Sequence, residues 1–245
     1  MDKGLKTAVI TGASHGIGEA AALLFIERGW QIITCARSAA PSFATSDHWL
    51  AHIETDLSIS NSVTEFIEKV FEVLGDSPLH SLVNNAGVSP KSPNRERQGC
   101  LNGDIDAWRD VFELNFYAPL KLGRGFASAL AKGRGSIVNV TSIAGHKIHP
   151  FAGSAYSASK AALSALTREM ANEFAALNVR VNAVAPGEIS TEMIDPEYEM
   201  LIPRIPLNRM GTPEDTARAI YYLAFEEAAY ITGSEVWVTG GQHMF

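Results

Sequence analysis

The stretch Thr7-Ala8-Val9-Ile10-Thr11-Gly12-Ala13-Ser14-His15-Gly16-Ile17-Gly18 decides how this chain folds. Thr7 to Thr11 is a short run of β-forming residues, and Gly12, Gly16 and Gly18 follow it at the spacing GxxxGxG. Ala21, Leu24 and Phe25 then recur at helical intervals, with Gly29 as the stop. Strand, glycine turn and helix in direct succession aim backbone N–H groups and a helix N-terminus at one spot, which suits a phosphate. Gly12 is expected to make the turn, Gly16 to let a pyrophosphate approach, and Gly18 to let helix and strand pack closely. Glycines are also ordinary loop punctuation. GxxxGxG differs from the commoner GxGxxG, so its weight comes from the flanking strand and helix.

Outward from this unit, Gln31 to Ala36 forms a second strand ending in Cys35-Ala36-Arg37-Ser38. In a dinucleotide fold an acidic group at this strand end accepts from a free ribose 2′-hydroxyl, whereas a nearby arginine suits a 2′-phosphate. Ala36 occupies the acidic slot and Arg37 follows, which favours NADP over NAD; a guanidinium matches phosphate geometry in a bidentate way. The alternative for Arg37 is a solvated surface side chain, and His15 in the glycine loop is at most a weak helper. Residues 38–52 read as a connection or a short irregular helix, His52 to Glu54 as a third strand, and Asp56-Leu57 follow it. Ser60 to Leu74 is an amphipathic helix with Val63, Phe66, Ile67, Val70 and Leu74 on one face. Ser81 to Asn84 is a fourth strand that leads into Asn85-Ala86-Gly87. Strands alternating with helices over short connections predict a parallel sheet covered on both faces.

The polar, Pro- and Gly-bearing segment 88–103 is then either a lid or a loop at the carboxyl end of the fourth strand. Asp104 to Leu130 reads as one helix with Asn115 in an apolar stretch, where an amide is usually a satisfied core group. Ser136 to Val140 is the fifth strand, and Ser142 just beyond it faces the crevice, although serines at strand ends are mostly turn residues. Val179 to Ala183 is a sixth strand, and 192–211 has the composition of a substrate-covering flap within 188–211. Thr212-Pro213-Glu214-Asp215 starts a helix by cap, proline and acids. Glu235 to Val238 is a seventh strand.

The chemistry is expected in Ser154-Ala155-Tyr156-Ser157-Ala158-Ser159-Lys160, which opens a helical run from Ala158 to Leu177. Tyr156 and Lys160 stand four apart and share a helix face. An ammonium about 5 Å from a phenol at an effective dielectric of about 20 favours the phenolate by roughly 3 kcal/mol, about two pKa units. The bland alternative is a surface Tyr–Lys pair.

Composition narrows the rest. The 245 residues are 46% hydrophobic and 19% charged with a net charge of −7, which argues against a nucleic-acid surface. Cys35 and Cys100 have no CxxC spacing, so no disulfide framework or zinc site is expected. No apolar run approaches the length of a membrane span. Met1 to Lys6 lacks a signal-peptide core, so the cytoplasm is the expected location. A GxSxG elbow is missing.

In order, TGxxxGxG, NNAG, a mid-helix Asn, Ser, YxxxK and PG make the chain resemble the classical short-chain dehydrogenase/reductase family over essentially its full length. The resemblance implies one Rossmann-type α/β domain over 1–245, a doubly wound, seven-stranded parallel sheet with helices on both faces. It implies a catalytic tetrad of Asn115, Ser142, Tyr156 and Lys160 and no metal. Tyr156 would be the general acid in reduction and the base in oxidation, and Ser142 would place the reacting oxygen. Lys160 would lower the tyrosine pKa and hold the nicotinamide ribose, and Asn115, by bending its helix, would support a water that relays protons. Gly12, Ser14, Gly16, Ile17 and Gly18 would cradle the pyrophosphate, and Asp56 and Leu57 would meet the adenine. Asn85, Ala86 and Gly87 would line the adenosine side, and Ile189 and Thr191 the nicotinamide carboxamide. His15 stands where many NADP-preferring members carry Arg or Lys, and the 88–103 loop is longer than the common form.

The function expected is an NADP(H)-dependent reductase of a small carbonyl compound, similar to a 3-oxoacyl reductase or acting on another small ketone. An NAD(H)-dependent alcohol dehydrogenase of the same fold is the nearest alternative. A non-catalytic dinucleotide sensor would have no need of a Tyr–Lys pair, and the enoyl reductase branch spaces that pair more widely. The resemblance also implies a homotetramer, or a dimer, built through the helices 104–130 and 152–177. His146, His149 and Glu188 are possible polar contacts in the pocket wall, each with an ordinary structural role as the alternative.

Overall fold

Alternation along the strands sets up two cores. Val9 faces one side with Ile33, Leu82, Ile137 and Val181, while Ala8 and Ile10 face the other with Ile32, Val83, Val138 and Val184. That is the two-residue period of a strand buried on both faces. The computed structural model describes residues 5–41, 45–92, 96–191 and 196–245. Residues 1–4, 93–95 of the predicted lid and 192–195 of the predicted flap lie outside the described residues.

The strands are β1 (Thr7–Thr11), β2 (Gln31–Ala36), β3 (Trp49–Glu54), β4 (Ser81–Asn84), β5 (Ser136–Val140), β6 (Arg180–Pro186) and β7 (Glu235–Val238). They form one parallel sheet in the order β3-β2-β1-β4-β5-β6-β7. Helix α1 (Gly16–Glu27) covers one face together with the last long helix, through Phe25, Ile220 and Leu223. On the other face lie α2 (Ser60–Leu74), through Phe66 and Val70, and the two helices that carry Phe126 and Phe174. Strand order reverses between β1 and β4, and the crevice at that switch point is where such sheets bind ligands. The fold is the doubly wound α/β sheet expected.

Boundaries moved where pairing or proline decides them. β3 starts at Trp49, three residues before the expected His52, and the Trp49 Nε1–H donates to Thr34 Oγ1 at 2.9 Å. β6 continues to Pro186 because β7 pairs with it as far as Pro186–Val238. The single helix expected over 104–130 is instead α3 (Ile105–Phe112), a π turn (Glu113–Tyr117) and α4 (Ala118–Gly133). Pro119 has no N–H to return to the carbonyl of Asn115, and the Ala118 N–H reaches back five residues to Glu113. Asn115 sits in the middle of that wider turn. α5 (Ser154–Phe174) begins four residues before Ala158, which puts Tyr156 in its first turn. α6 (Pro213–Ala224) opens with the expected cap: the Thr212 hydroxyl accepts from the Asp215 N–H and the Asp215 carboxylate accepts from the Thr212 N–H. Between them the described part of the flap carries a 3-10 segment, Pro196–Arg204. Among the described residues no helix is long and apolar enough to cross a membrane.

Candidate active site

One crevice runs along the carboxyl ends of the central strands, and its two ends are built differently. At one end the β1–α1 turn passes under β4 with almost no side chain between them. Gly12 has φ +65°, and a Cβ there would lie 2.9 Å from the Ala86 Cα. A Cβ on Gly18 would meet the Gly12 carbonyl oxygen at 2.1 Å, so α1 could not start where it does. His15 caps α1 with no side-chain hydrogen bond, which leaves the N–H groups of the first turn aimed outward. Ser14, His15, Gly16 and Ile17 line the crevice here, while Gly18 packs beneath it.

The seam that fixes this end was not foreseen. The Thr11 hydroxyl donates to the Val83 carbonyl at 3.3 Å and accepts from the N–H groups of Asn85 and Ala86, both at 3.0 Å. The Asn85 amide in turn donates to the carbonyls of Thr11 and Gly12. Asn85, Ala86 and Gly87 all line the crevice, but the Asn85 side chain is committed to holding the glycine turn. The signal for Thr11 was a hydroxyl at the last position of an otherwise apolar strand. Farther along, Arg37 is exposed at the mouth, close enough to Asp56 to help lower its carboxyl. The larger cause of that lowering is the Ser58 hydroxyl, which donates to Asp56 Oδ1 at 2.7 Å. Leu57 is buried beside it on the crevice wall.

The other end is made of side chains from distant parts of the chain. Ser142 follows β5 and is buried; its Oγ accepts from the Ala144 N–H at 3.1 Å and so caps a single 3-10 turn. Gly145 ends that turn against α5, where a Cβ would meet the Ala161 N at 2.8 Å and the Lys160 carbonyl carbon at 2.9 Å. This close approach brings Ser142 to Tyr156, and a glycine three residues beyond the serine was the sequence signal for it. Tyr156 is half-buried and lines the crevice with Lys160, Ile189 and Thr191. Lys160 is buried, its Nζ donating to the Val140 carbonyl at 2.7 Å and lying 5.8 Å from the centre of the Tyr156 ring.

The expected electrostatics of this pair need correction. Burial pushes the Tyr156 phenol above its ordinary value, the hydrogen bond with Ser142 opposes the rise, and the Glu188 carboxylate adds to it. Burial also pulls Lys160 down to about 8. The sequence estimate placed both groups at a surface-like dielectric; removing them from water outweighs their attraction. Asn115 lies behind the crevice. Its Nδ2 donates to the Val88 carbonyl and to Ser159 Oγ, both at 3.0 Å, and its Oδ1 accepts from the Val88 N–H at 2.9 Å. Both amide donors are therefore used in clamping the start of the 88–103 loop to α5. No cluster of three or more metal-ligating side chains occurs among the described residues.

His149 and Glu188 complete this end. The His149 Nδ1 accepts from the N–H groups of Phe151 and Ala152, so its proton is on Nε2, which meets Glu188 Oε1 at 2.8 Å. Gln242 Nε2 donates to the same oxygen at 3.1 Å. His146, by contrast, turns away to pair with Glu235 at 2.9 Å and is absent from the crevice wall.

Residues 12–243 match the family model described as enoyl-(acyl carrier protein) reductase. The chain is 49% identical to Protein FixR of Bradyrhizobium diazoefficiens over 98% of its own length and 87% of that protein's. It is 36% identical to the 3-oxoacyl-(acyl-carrier-protein) reductase FabG of Vibrio cholerae, covering 98% of both chains. Among solved structures it resembles an oxidoreductase from Brucella ovis, of the short chain dehydrogenase/reductase family, in complex with a partially ordered NAD. That match has a TM-score of 0.80 and 43% identity and covers 96% of this chain and 100% of the other.

Proposed function

The chain belongs to the short-chain dehydrogenase/reductase family, and from that premise we propose that it is an NADP(H)-dependent oxidoreductase interconverting a ketone and a secondary alcohol. The observation that carries the proposal is the meeting of Tyr156, Ser142 and a buried Lys160 at one end of a crevice whose other end is a glycine cradle. The similarity to FabG supports a 3-oxoacyl or other small ketone as the substrate class. The enoyl reduction named by the family model is not the proposal, because Tyr156 and Lys160 stand a single helical turn apart.

The cradle fits a dinucleotide: Gly12, Gly16 and Gly18 keep it free of Cβ atoms, and uncapped first-turn N–H groups suit a pyrophosphate. Ser14 and Ile17 would share that contact. Asp56 and Leu57 would meet the adenine, Asn85, Ala86 and Gly87 the adenosine side, and Ile189 and Thr191 the carboxamide. When bound, the nicotinamide supplies or takes up the hydride.

The protein's own residues then manage the proton. A phenol held above its ordinary pKa by burial is protonated throughout the neutral range, so Tyr156 is ready to donate to a carbonyl oxygen as negative charge develops there. The Ser142 oxygen already accepts from Ala144, and its O–H, which lies beside the Tyr156 oxygen, would turn to donate to the same substrate oxygen once one is bound. Lys160, anchored on Val140, stabilises the tyrosinate once the proton has left and would hold the ribose hydroxyls. Asn115 keeps Val88 and Ser159 in place around them and would support the proton-relaying water.

Arg37, with no carboxylate at Ala36, supports NADP(H) through a 2′-phosphate. NAD(H) is the second reading, favoured by the NAD complex of the Brucella ovis relative. A cytoplasmic homotetramer is part of the proposal, by analogy with the family. The direct test is Tyr156→Phe, followed by nicotinamide absorbance over a panel of ketones and secondary alcohols. Turnover should fall about 1,000-fold while cofactor affinity stays within about twofold. Unchanged turnover refutes Tyr156 as the acid.

A further inference from the structure

Glu188 is a buried carboxylate whose second oxygen has no hydrogen-bond partner among the described residues. Its side chain is 3% exposed and belongs to the crevice wall. Both of its hydrogen bonds, from His149 and Gln242, end on Oε1; Oε2 has none among the described residues. Neither Lys nor Arg pairs with it among those residues. Burying a carboxylate is costly unless it is fully hydrogen-bonded, so an apolar side chain here would serve the fold better.

Its neighbours are arranged to keep it an acceptor. Two backbone N–H groups lock the His149 tautomer, so that Nε2–H points at the carboxylate. Gln242 turns its NH2 toward Glu188 although this leaves its own Oε1 buried without a partner. That is a penalty a purely structural contact would not sustain. Glu188 lines the same crevice as Tyr156, and its carboxylate adds to the upward push that burial gives the phenol.

We propose that Glu188 recognises the substrate: it accepts a hydrogen bond from an O–H or N–H group carried within two carbons of the reacting carbon. The preferred substrate is thus a polyol-like or amino-alcohol-like compound, or the matching hydroxy- or aminoketone, and not a plain aliphatic alcohol or ketone. The inference rests on the oxidoreductase reading above and narrows it. His149 and Gln242 are positioning residues that act through Glu188.

The test compares a four-carbon set: the secondary butanol, the vicinal diol, the diol with one more carbon between its hydroxyls, and the vicinal amino alcohol, each as all stereoisomers. With the wild-type protein and saturating NADP or NAD, at least one donor-bearing member should exceed the plain alcohol in kcat/KM by about 10- to 100-fold, the range for a hydrogen bond to a charged group. Most of that advantage should lie in KM and should shrink to within about threefold in Glu188→Gln, which keeps the shape and loses the charge. The diol and amino alcohol arms separate a hydroxyl donor from an ammonium donor. Saturation-transfer NMR on the same compounds reads recognition whether or not turnover occurs. Stronger transfer to the donor-bearing members, lost in Glu188→Gln, supports the inference. Equal transfer to all members, or a preference that survives Glu188→Gln, overturns it. Loss of turnover across the whole set, with selective transfer intact, would refute the oxidoreductase reading alone.

Discussion

The two ends of the crevice solve different problems with different material. The glycine end is backbone: its shape follows from missing Cβ atoms and from carbonyls and N–H groups tied together by Thr11 and Asn85. The other end is side chain: Ser142, His149, Tyr156, Lys160, Glu188 and Gln242 arrive from five separate segments and are buried to different degrees. A backbone site recognises what every dinucleotide shares, whereas a side-chain site can be retuned one residue at a time. Damage should therefore be steric at the first end and electrostatic at the second.

Gly18→Ala breaks the backbone end most severely. Its methyl would have to displace the Gly12 carbonyl, a backbone atom, so stability should fall by roughly 3 kcal/mol or more and dinucleotide affinity by about tenfold or more. Urea unfolding and a cofactor fluorescence titration measure both; wild-type values in both would mean the cradle is not steric in origin.

Lys160→Met sharpens the electrostatic end. Lys160 is held at about 8 in the fold against an ordinary 10.5, so between those pH values the unfolded chain binds a proton that the folded one does not. Folding stability then rises with pH across that window and reaches its full gain above it. The wild type should gain about 3 kcal/mol on the methionine variant between about pH 8 and 10.5. A stability difference that stays flat over this window would show that the ammonium is better solvated than its burial indicates.

The smallest effect belongs to Arg37, which is exposed. Arg37→Leu should lower the NADPH-to-NADH ratio of kcat/KM by about tenfold, with stability unchanged. No change in that ratio would leave NAD(H) as the better reading.

The backbone end was the more legible in sequence because glycine spacing and strand alternation are local. TGxxxGxG and NNAG both state their own geometry. What stayed hidden depends on burial or on distance along the chain. The upward shift of Tyr156 could not be foreseen from its four-residue separation from Lys160, since that spacing says nothing of desolvation. The Glu188 site joins positions 149, 188 and 242, which no local pattern links. The break at Asn115 was within reach, because Pro119 cannot complete a helix through 104–130.

The Thr11 hydroxyl, with its three bonds across β1 and β4, has a kinetic consequence. The strands on either side of the switch point are stitched together, so the crevice cannot open as a jaw. The glycine end is thus a groove whose width the sheet itself sets. On the proposed reading, the dinucleotide therefore meets a groove already shaped, and its association waits on no rearrangement of the strands.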